Sequence, residues 1–203
     1  MKLTTHNTMS YQKPKQLWAK IIPFVARCQS VDYIKQYELG AIGFDLRLFW
    51  DKKGNLEFRH GIVSYPADNI WEVLDFIRDH NLYVRILFEL RSYNKKHIKN
   101  IDELKDKFRE FCKEIEDKYP TVKFYGGCAT CDWEQLYVFK NDEHIPEIGL
   151  YSSNTSLFKS SNNFLRIIDD LCPWIYAKLM NRKNIEKYKD SEQYISVDFI
   201  NIQ

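Results

Sequence analysis

The sequence has no apolar run approaching the ~20 consecutive residues that a bilayer-spanning helix requires. Glycine and proline are scarce, 7 and 6 in 203 residues. The first absence argues against a helical membrane protein, and the second excludes a collagen-like or linker-rich chain. A surplus of one charge is missing too, because 30 Lys and Arg against 28 Asp and Glu leave a formal net charge of +2. A protein that coats a nucleic-acid polymer carries a far larger basic excess, so no DNA or RNA partner is expected. The five cysteines (Cys28, Cys112, Cys128, Cys131 and Cys172) are odd in number and irregularly spaced, which argues against a disulfide framework and for a reducing compartment. Cys128 and Cys131 have redox or zinc-knuckle spacing, but no second pair follows, so they read as incidental thiols.

What the sequence does have is apolar and aromatic material: 44% hydrophobic residues and 15% aromatics, with 13 Tyr and 13 Phe. Such a chain folds around an aromatic-rich core, and its length suits one domain spanning residues 1–203. Candidate residue His6 follows the first methionine too closely for a leader. A soluble, cytoplasmic protein is therefore expected, or a secreted one had a leader been removed.

Along the chain, residues 2–9 read as a short strand running into a loop. Leu17, Ile21, Ile22 and Val25 suggest a helix within Lys13–Tyr37. Ala41–Trp50 is a strand, Lys53-Gly54-Asn55 a turn, and Leu56–His60 extended again. Asp68 and Asn69 are cap candidates for a helix through His80, and Tyr83–Ser92 is the next strand. Asp102 can cap a helix to Lys118 with Leu104, Phe108, Phe111, Cys112 and Ile115 on its buried side, stopped by Pro120. Thr121–Tyr125 is a strand, Leu136–Phe139 and Ile148–Tyr151 are weaker ones, Phe164–Tyr188 is helical with a break near Pro173, and Tyr194–Ile200 is the last strand. Strands alternating with helices predict an α/β fold with parallel sheet. Eight full units typically need about 250 residues, so a compact or irregular TIM-type barrel is expected.

Several strands carry charges where an enclosed face would bury them. Alternate residues share a face, so Asp45 and Arg47 lie side by side, as do Glu89 and Arg91, and Ser196 and Asp198. An unpaired buried charge costs several kcal/mol. A salt-bridge network explains one such pair well enough. Three near the C-terminal strand ends, where barrel enzymes build their sites, point to chemistry.

These segments then become recognisable together. Thr5-His6-Asn7-Thr8-Met9-Ser10-Tyr11 resembles the Ser-His-Asn-Thr-Tyr opening of eukaryotic phosphoinositide phospholipases C. Gly40-Ala41-Ile42-Gly43-Phe44-Asp45-Leu46-Arg47 resembles the family's Gly-x-Arg-x-Phe-Asp-x-Arg strand, and Phe58-Arg59-His60-Gly61 its second histidine. Ile86-Leu87-Phe88-Glu89-Leu90-Arg91 looks like the next barrel strand, and Ser196-Val197-Asp198-Phe199 like the Val-Asp-Phe ending of the bacterial branch. Residues 120–190 match nothing, and His80, His97 and His144 have no counterpart.

The resemblance to the X-domain of phosphatidylinositol-specific phospholipase C implies a phosphodiesterase. Cleaving a phosphodiester beside a hydroxyl needs a base, an acid and positive charge on the phosphate. By the resemblance His6 is the base, His60 the acid, and Asp198 the orienter of His6. Arg47 is the phosphate clamp, positioned by Asp45, and Asn7, Glu89 and Arg91 bind substrate. No cofactor is favoured, because Arg47 stands where calcium-dependent relatives place a ligand. Calcium on Asn7, Asp45 and Glu89 is the alternative. The expected partner is a small phosphodiester or phospholipid head group, with peripheral membrane contact. Glycerophosphodiester or cyclic-nucleotide cleavage, or a non-catalytic binder that sequesters a phosphorylated small molecule, are the competing readings.

Overall fold

A computed structural model describes residues 1–22, 27–89, 100–125, 136–143, 147–149 and 173–202. Its strands are β1 (Lys2–Thr5), β2 (Gly43–Trp50), β3 (Leu56–His60), β4 (Val63–Pro66), β5 (Tyr83–Phe88), β6 (Lys123–Phe124), β7 (Glu147–Gly149) and β8 (Tyr194–Val197). The helices are α1 (Leu17–Ile21), α2 (Tyr33–Glu38), α3 (Ile70–Asp79), α4 (Ile101–Lys118) and α5 (Pro173–Tyr188), with a 3-10 turn at Thr8–Tyr11. β7, β8, β1, β2, β5 and β6 lie side by side and parallel. The start of β2 pairs with β1, and its end, Leu48–Trp50, pairs antiparallel with β3. The β3–β4 hairpin thus continues the β1 edge toward the C-terminal end of the sheet.

The sheet is curled. Tyr83 opens β5 and Tyr194 opens β8, three strands away in the pairing order. At ~4.8 Å per strand a flat sheet would hold them ~14 Å apart, yet their ring centroids are 5.2 Å apart. Tyr125, just past β6, stacks on Tyr194 at 4.3 Å. A side chain at Gly43 would meet Thr4 at 2.8 Å and Tyr125 at 3.3 Å, so this inward position of β2 is closed to any larger residue. The described strands form an open half-barrel in a mixed α/β fold. The closed ring expected from the sequence is not completed by the described residues.

Parity sorts the two faces. Lys2, Thr4, Gly43, Asp45, Arg47, Tyr83, Arg85, Tyr194 and Ser196 share the inner face by register. Phe44, Leu46, Leu48, Val84, Ile86, Phe88, Ile195 and Val197 point outward into the buried core under the helices. α3 meets this face with Ile70, Val73, Leu74 and Ile77, the spacing of one helical stripe. α4 adds Phe108, Cys112 and Ile115, with Phe108 against Phe88 at 5.4 Å and Trp50 at 6.4 Å.

Some expectations need correction. The described residues of the Lys13–Tyr37 segment include α1 and all but the last residue of α2, and Leu17 and Ile21 of α1 are exposed. Neither expected side-chain cap forms: Asn69 makes no cap hydrogen bond at the start of α3, and Asn100, not Asp102, precedes α4. Leu136–Phe139 is not a strand. Phe139 instead stacks on Phe124 at 3.7 Å, and buried Glu116 accepts the next backbone N–H, Lys140, in place of a ladder partner. β8 stops at Val197 because Phe199 turns to φ 47°, which takes Asp198 and Phe199 off the ladder. The β5 ladder ends at Phe88, and residues 90–99, 150–151 and 164–172 lie outside the described residues. Among the described residues no helix is long and apolar enough to cross a membrane.

Candidate active site

The inner face changes character at the C-terminal strand ends, where aromatics give way to charge. β1 delivers His6. Its backbone N–H donates to Val197 O at 3.0 Å, continuing the β1–β8 pairing by one residue, and its Nδ1 meets Asp198 Oδ1 at 2.6 Å. Both side chains are buried. With an ionised carboxylate at that distance Nδ1 carries the proton, which leaves Nε2 as the basic nitrogen.

Asp198 is held from behind. Asn181 of α5 donates to the carbonyls of Asp198 (2.7 Å) and Ile202 (3.1 Å), and Phe199 N–H donates to Cys28 O. Gln29 binds this corner to His6: its Nε2 donates to the carbonyls of His6 and Val197, and its Oε1 accepts from Ile200 N–H. The backbone bend that ends β8 is therefore what aims Asp198 at His6.

Past His6, Asn7 has a left-handed backbone at φ 43°, a conformation that asparagine tolerates better than most residues. The turn points Asn7 N–H at Asp45 Oδ2, 3.0 Å away, while its side-chain amide donates to Arg59 O on β3. Asp45 also accepts hydrogen bonds from Arg47 Nε at 2.8 Å and Arg85 Nε at 3.2 Å, and Arg85 Nη2 adds an ion-pair contact at 3.1 Å. Burial would raise the Asp45 carboxyl, but the guanidinium charges of Arg47 and Arg85 and these hydrogen bonds outweigh it and bring its pKa down to about 2. Arg47 reaches on to Glu89 Oε2 at 3.4 Å, and Glu89 Oε1 accepts Gly61 N–H at 2.9 Å. Two arginines and two carboxylates thus balance in a buried network that ties β2 and β5 to the His60–Gly61 turn.

His60 ends β3, half-buried, with its ring centroid 5.4 Å from that of His6 and nearly perpendicular to it. Cys28 Sγ lies 3.6 Å from His60 Nδ1 and 3.8 Å from Nε2. The structure therefore brings His6, His60 and Asp198 into one cluster, and Asp45, Arg47, Glu89 and Asn7 into a network that joins it through Asn7 and Gly61. Arg91 lies outside the described residues, as do Cys128, Cys131 and Cys172. The alternative calcium set fares poorly on charge, since Asp45 and Glu89 already hold guanidinium groups that would repel a cation.

Sequence reasoning missed Arg85, Cys28, Gln29 and Asn181. Arg85 was within reach, because it has the same parity as Glu89 on a strand already read. The other three sit in loops or on a helix, where no period marks them.

No protein-family model matches the sequence, and no curated protein matches it. Among solved structures, a point mutant of the phosphatidylinositol-specific phospholipase C from Staphylococcus aureus aligns with a TM-score of 0.53 at 11% identity, over 97% of this chain and 84% of that one. The phosphatidylinositol-specific phospholipase C from Listeria monocytogenes aligns with a TM-score of 0.50 at 14% identity, over 97% and 87%. At such identities the likeness is one of fold, and it is in fold that this chain resembles the phosphatidylinositol-specific phospholipases C.

Proposed function

We propose that the chain is a single-domain phosphodiesterase of the phospholipase C type, built on an irregular barrel, in which a hydroxyl of the substrate attacks its own phosphodiester. The observation that carries this reading is the buried His6–Asp198 hydrogen bond of 2.6 Å with His60 facing the same imidazole. Asp198 holds the His6 tautomer whose Nε2 takes the hydroxyl proton, the part played by the carboxylate of a catalytic triad. His60 protonates the departing oxygen, and an enclosing site of low dielectric strengthens both transfers. Arg47, oriented by Asp45 and Glu89, supplies positive charge toward the phosphate, with Arg85 reinforcing it. Asn7 and Arg91 complete the substrate contacts. At rest the two imidazoles touch edge to face, with His60 half-buried at the end of β3, so a phosphodiester seated between them requires the rings to separate.

The surroundings favour a lipid head group. Leu17 and Ile21 of α1 are 74% and 73% exposed, and Ile62 in the β3–β4 turn is 50% exposed. Gln16, just before α1, donates to Ile62 O at 3.2 Å, so this apolar rim stands beside the hairpin that carries His60. A rim of this kind suits peripheral contact with a membrane surface.

The test offers phosphatidylinositol, a glycerophosphodiester and a cyclic nucleotide to the protein, with phosphorus NMR as the readout. Phosphatidylinositol turnover through a cyclic phosphate is expected. Binding without turnover of any substrate would overturn the catalytic reading in favour of sequestration. The roles separate by leaving group: His60→Ala recovers rate on a phenolate-like leaving group, which departs without a proton, whereas His6→Ala fails on both.

A further inference from the structure

We propose that His6, Cys28 and His60 form a three-ligand site for a soft divalent cation of the zinc class. One nitrogen or sulfur from each residue lies within 4.8 Å of the other two. Zinc bonds of about 2.0–2.1 Å to nitrogen and 2.3 Å to sulfur, set tetrahedrally, require ligand atoms ~3.3–3.8 Å apart. The Cys28–His60 separations of 3.6 and 3.8 Å already fall there, and Sγ is nearly equidistant from the two ring nitrogens, so either can be turned to the metal. One sulfur and two imidazoles select zinc-like ions over calcium or magnesium, which prefer oxygen.

Two further features fit a metal centre. Zinc-bound imidazoles characteristically donate their second ring N–H to a carboxylate, and His6 Nδ1 is so placed against Asp198. Cys28 is also held on every side of its backbone. Ser10 Oγ accepts the N–H groups of Cys28 and Gln29, both at 3.0 Å, Gln29 is tied to His6, and Cys28 O accepts Phe199 N–H. The thiol therefore reaches the histidines from a fixed loop. Binding displaces the thiol proton to solvent, and the three protein ligands leave a fourth position for water. The metal would occupy both imidazoles that the acid–base cycle uses, so metal-loaded and hydrolytic states exclude each other. The ligand geometry stands without that cycle, and the experiment reads binding alone.

Metal-free full-length protein is titrated with cobalt(II) and followed by absorption. One ion per chain is expected, with a thiolate-to-cobalt charge-transfer band and the intense visible bands of a four-coordinate site, both removed by zinc. Cys28→Ser should abolish the charge-transfer band and weaken zinc binding at least ~100-fold, while Asp198→Asn keeps the band and weakens binding about 10- to 100-fold. Replacing Cys128 and Cys131 together by Ser should change neither. A band that survives Cys28→Ser, a band lost in the Cys128/Cys131 variant, or no band in the wild type overturns the proposal. Should Cys28→Ser unfold by circular dichroism, His60→Ala replaces it: weakened visible bands support the site, and unchanged ones refute it.

Discussion

The two ends of the curled sheet bury polar groups in opposite ways. At the N-terminal end Lys2 bonds Glu143 at 2.8 Å and Tyr194 Oη donates to the same carboxylate at 2.6 Å, with Lys2 Nζ over the rings of Tyr83 and Tyr194. That ion pair remains about a quarter exposed, 26% and 29% for its two side chains, and aromatic rings pack around it. At the C-terminal end Asp45, Arg47, Arg85 and Glu89 are almost completely buried. One end is lined by stacked rings around a partly exposed ion pair. The other keeps several buried charges where hydrophobic packing would serve stability as well or better. The N-terminal ion pair is partly exposed and the C-terminal charges are buried, and the proposed site rests on that contrast.

The largest difference should be in rate. His6→Ala is expected to lower turnover by about 10²- to 10⁴-fold, whereas Tyr194→Phe at the other end leaves it unchanged. Steady-state assays on the substrate found in the screen check this. A similar fall in both variants would mean that the two ends do not divide labour.

Next comes stability. Removing Asp45 takes away the buried carboxylate that Arg47 and Arg85 share, so Asp45→Ala should cost about 3–5 kcal/mol in urea unfolding. Glu143→Ala disturbs a partly exposed pair, and its ionic part is worth no more than ~1 kcal/mol. Equal losses would break the comparison.

Acid sharpens it further. The folded Asp45 carboxyl is held at about 2, below its ordinary 3.8. Its contribution is therefore complete above pH 3.8 and disappears as pH falls through 2, a loss on the order of 2 kcal/mol. Glu143 is also held below its ordinary value: burial pushes it up, but hydrogen bonds from Lys2 and Tyr194 and the nearby lysine charge outweigh that. Asp45→Asn should flatten more of the limb between pH 4 and 2 than Glu143→Gln does, as read by urea midpoints across that range.

How much of this the sequence discloses follows from period. β2 alternates Phe44, Leu46 and Leu48 with Asp45 and Arg47, and period two alone places both charges on the inner face. The α3 stripe is equally plain. Period also decides which positions share a face but not which strands are neighbours, so the link from Asp45 to Arg85 needs the β2–β5 register. The bend at Phe199 that aims Asp198, and the loop that carries Cys28, have no periodic signal. They are set by hydrogen bonds between residues about 170 positions apart, such as Gln29 with Val197 and Ile200. The β3–β4 hairpin turns on Gly61 at φ 59°. In the sequence that glycine reads only as part of the His-Gly pair.

The smallest expected effect belongs to Tyr194. Burial raises its phenol first, and the carboxylate of Glu143, which accepts its hydrogen bond, raises it further. A group whose folded pKa lies above its unfolded one stabilises fully below the unfolded value and loses that contribution as pH rises. Tyr194 should therefore act on the alkaline side, above about pH 10. Tyr194→Phe keeps the ring stacked on Tyr125 and facing Tyr83 and removes only the hydroxyl, so at neutral pH it should cost about 1 kcal/mol, the net worth of one hydrogen bond. Raising the pH above 10 should narrow the gap between variant and wild type, because the wild type alone loses this contribution. Tyr65 and Tyr11, whose phenols are also pushed up by burial, keep an alkaline limb in both proteins. The measurement is thus the difference between two urea midpoints followed from pH 8 to 11. A gap that widens with pH would show that the Tyr194 hydroxyl is not held by Glu143, and the N-terminal end would then be held by ring packing alone.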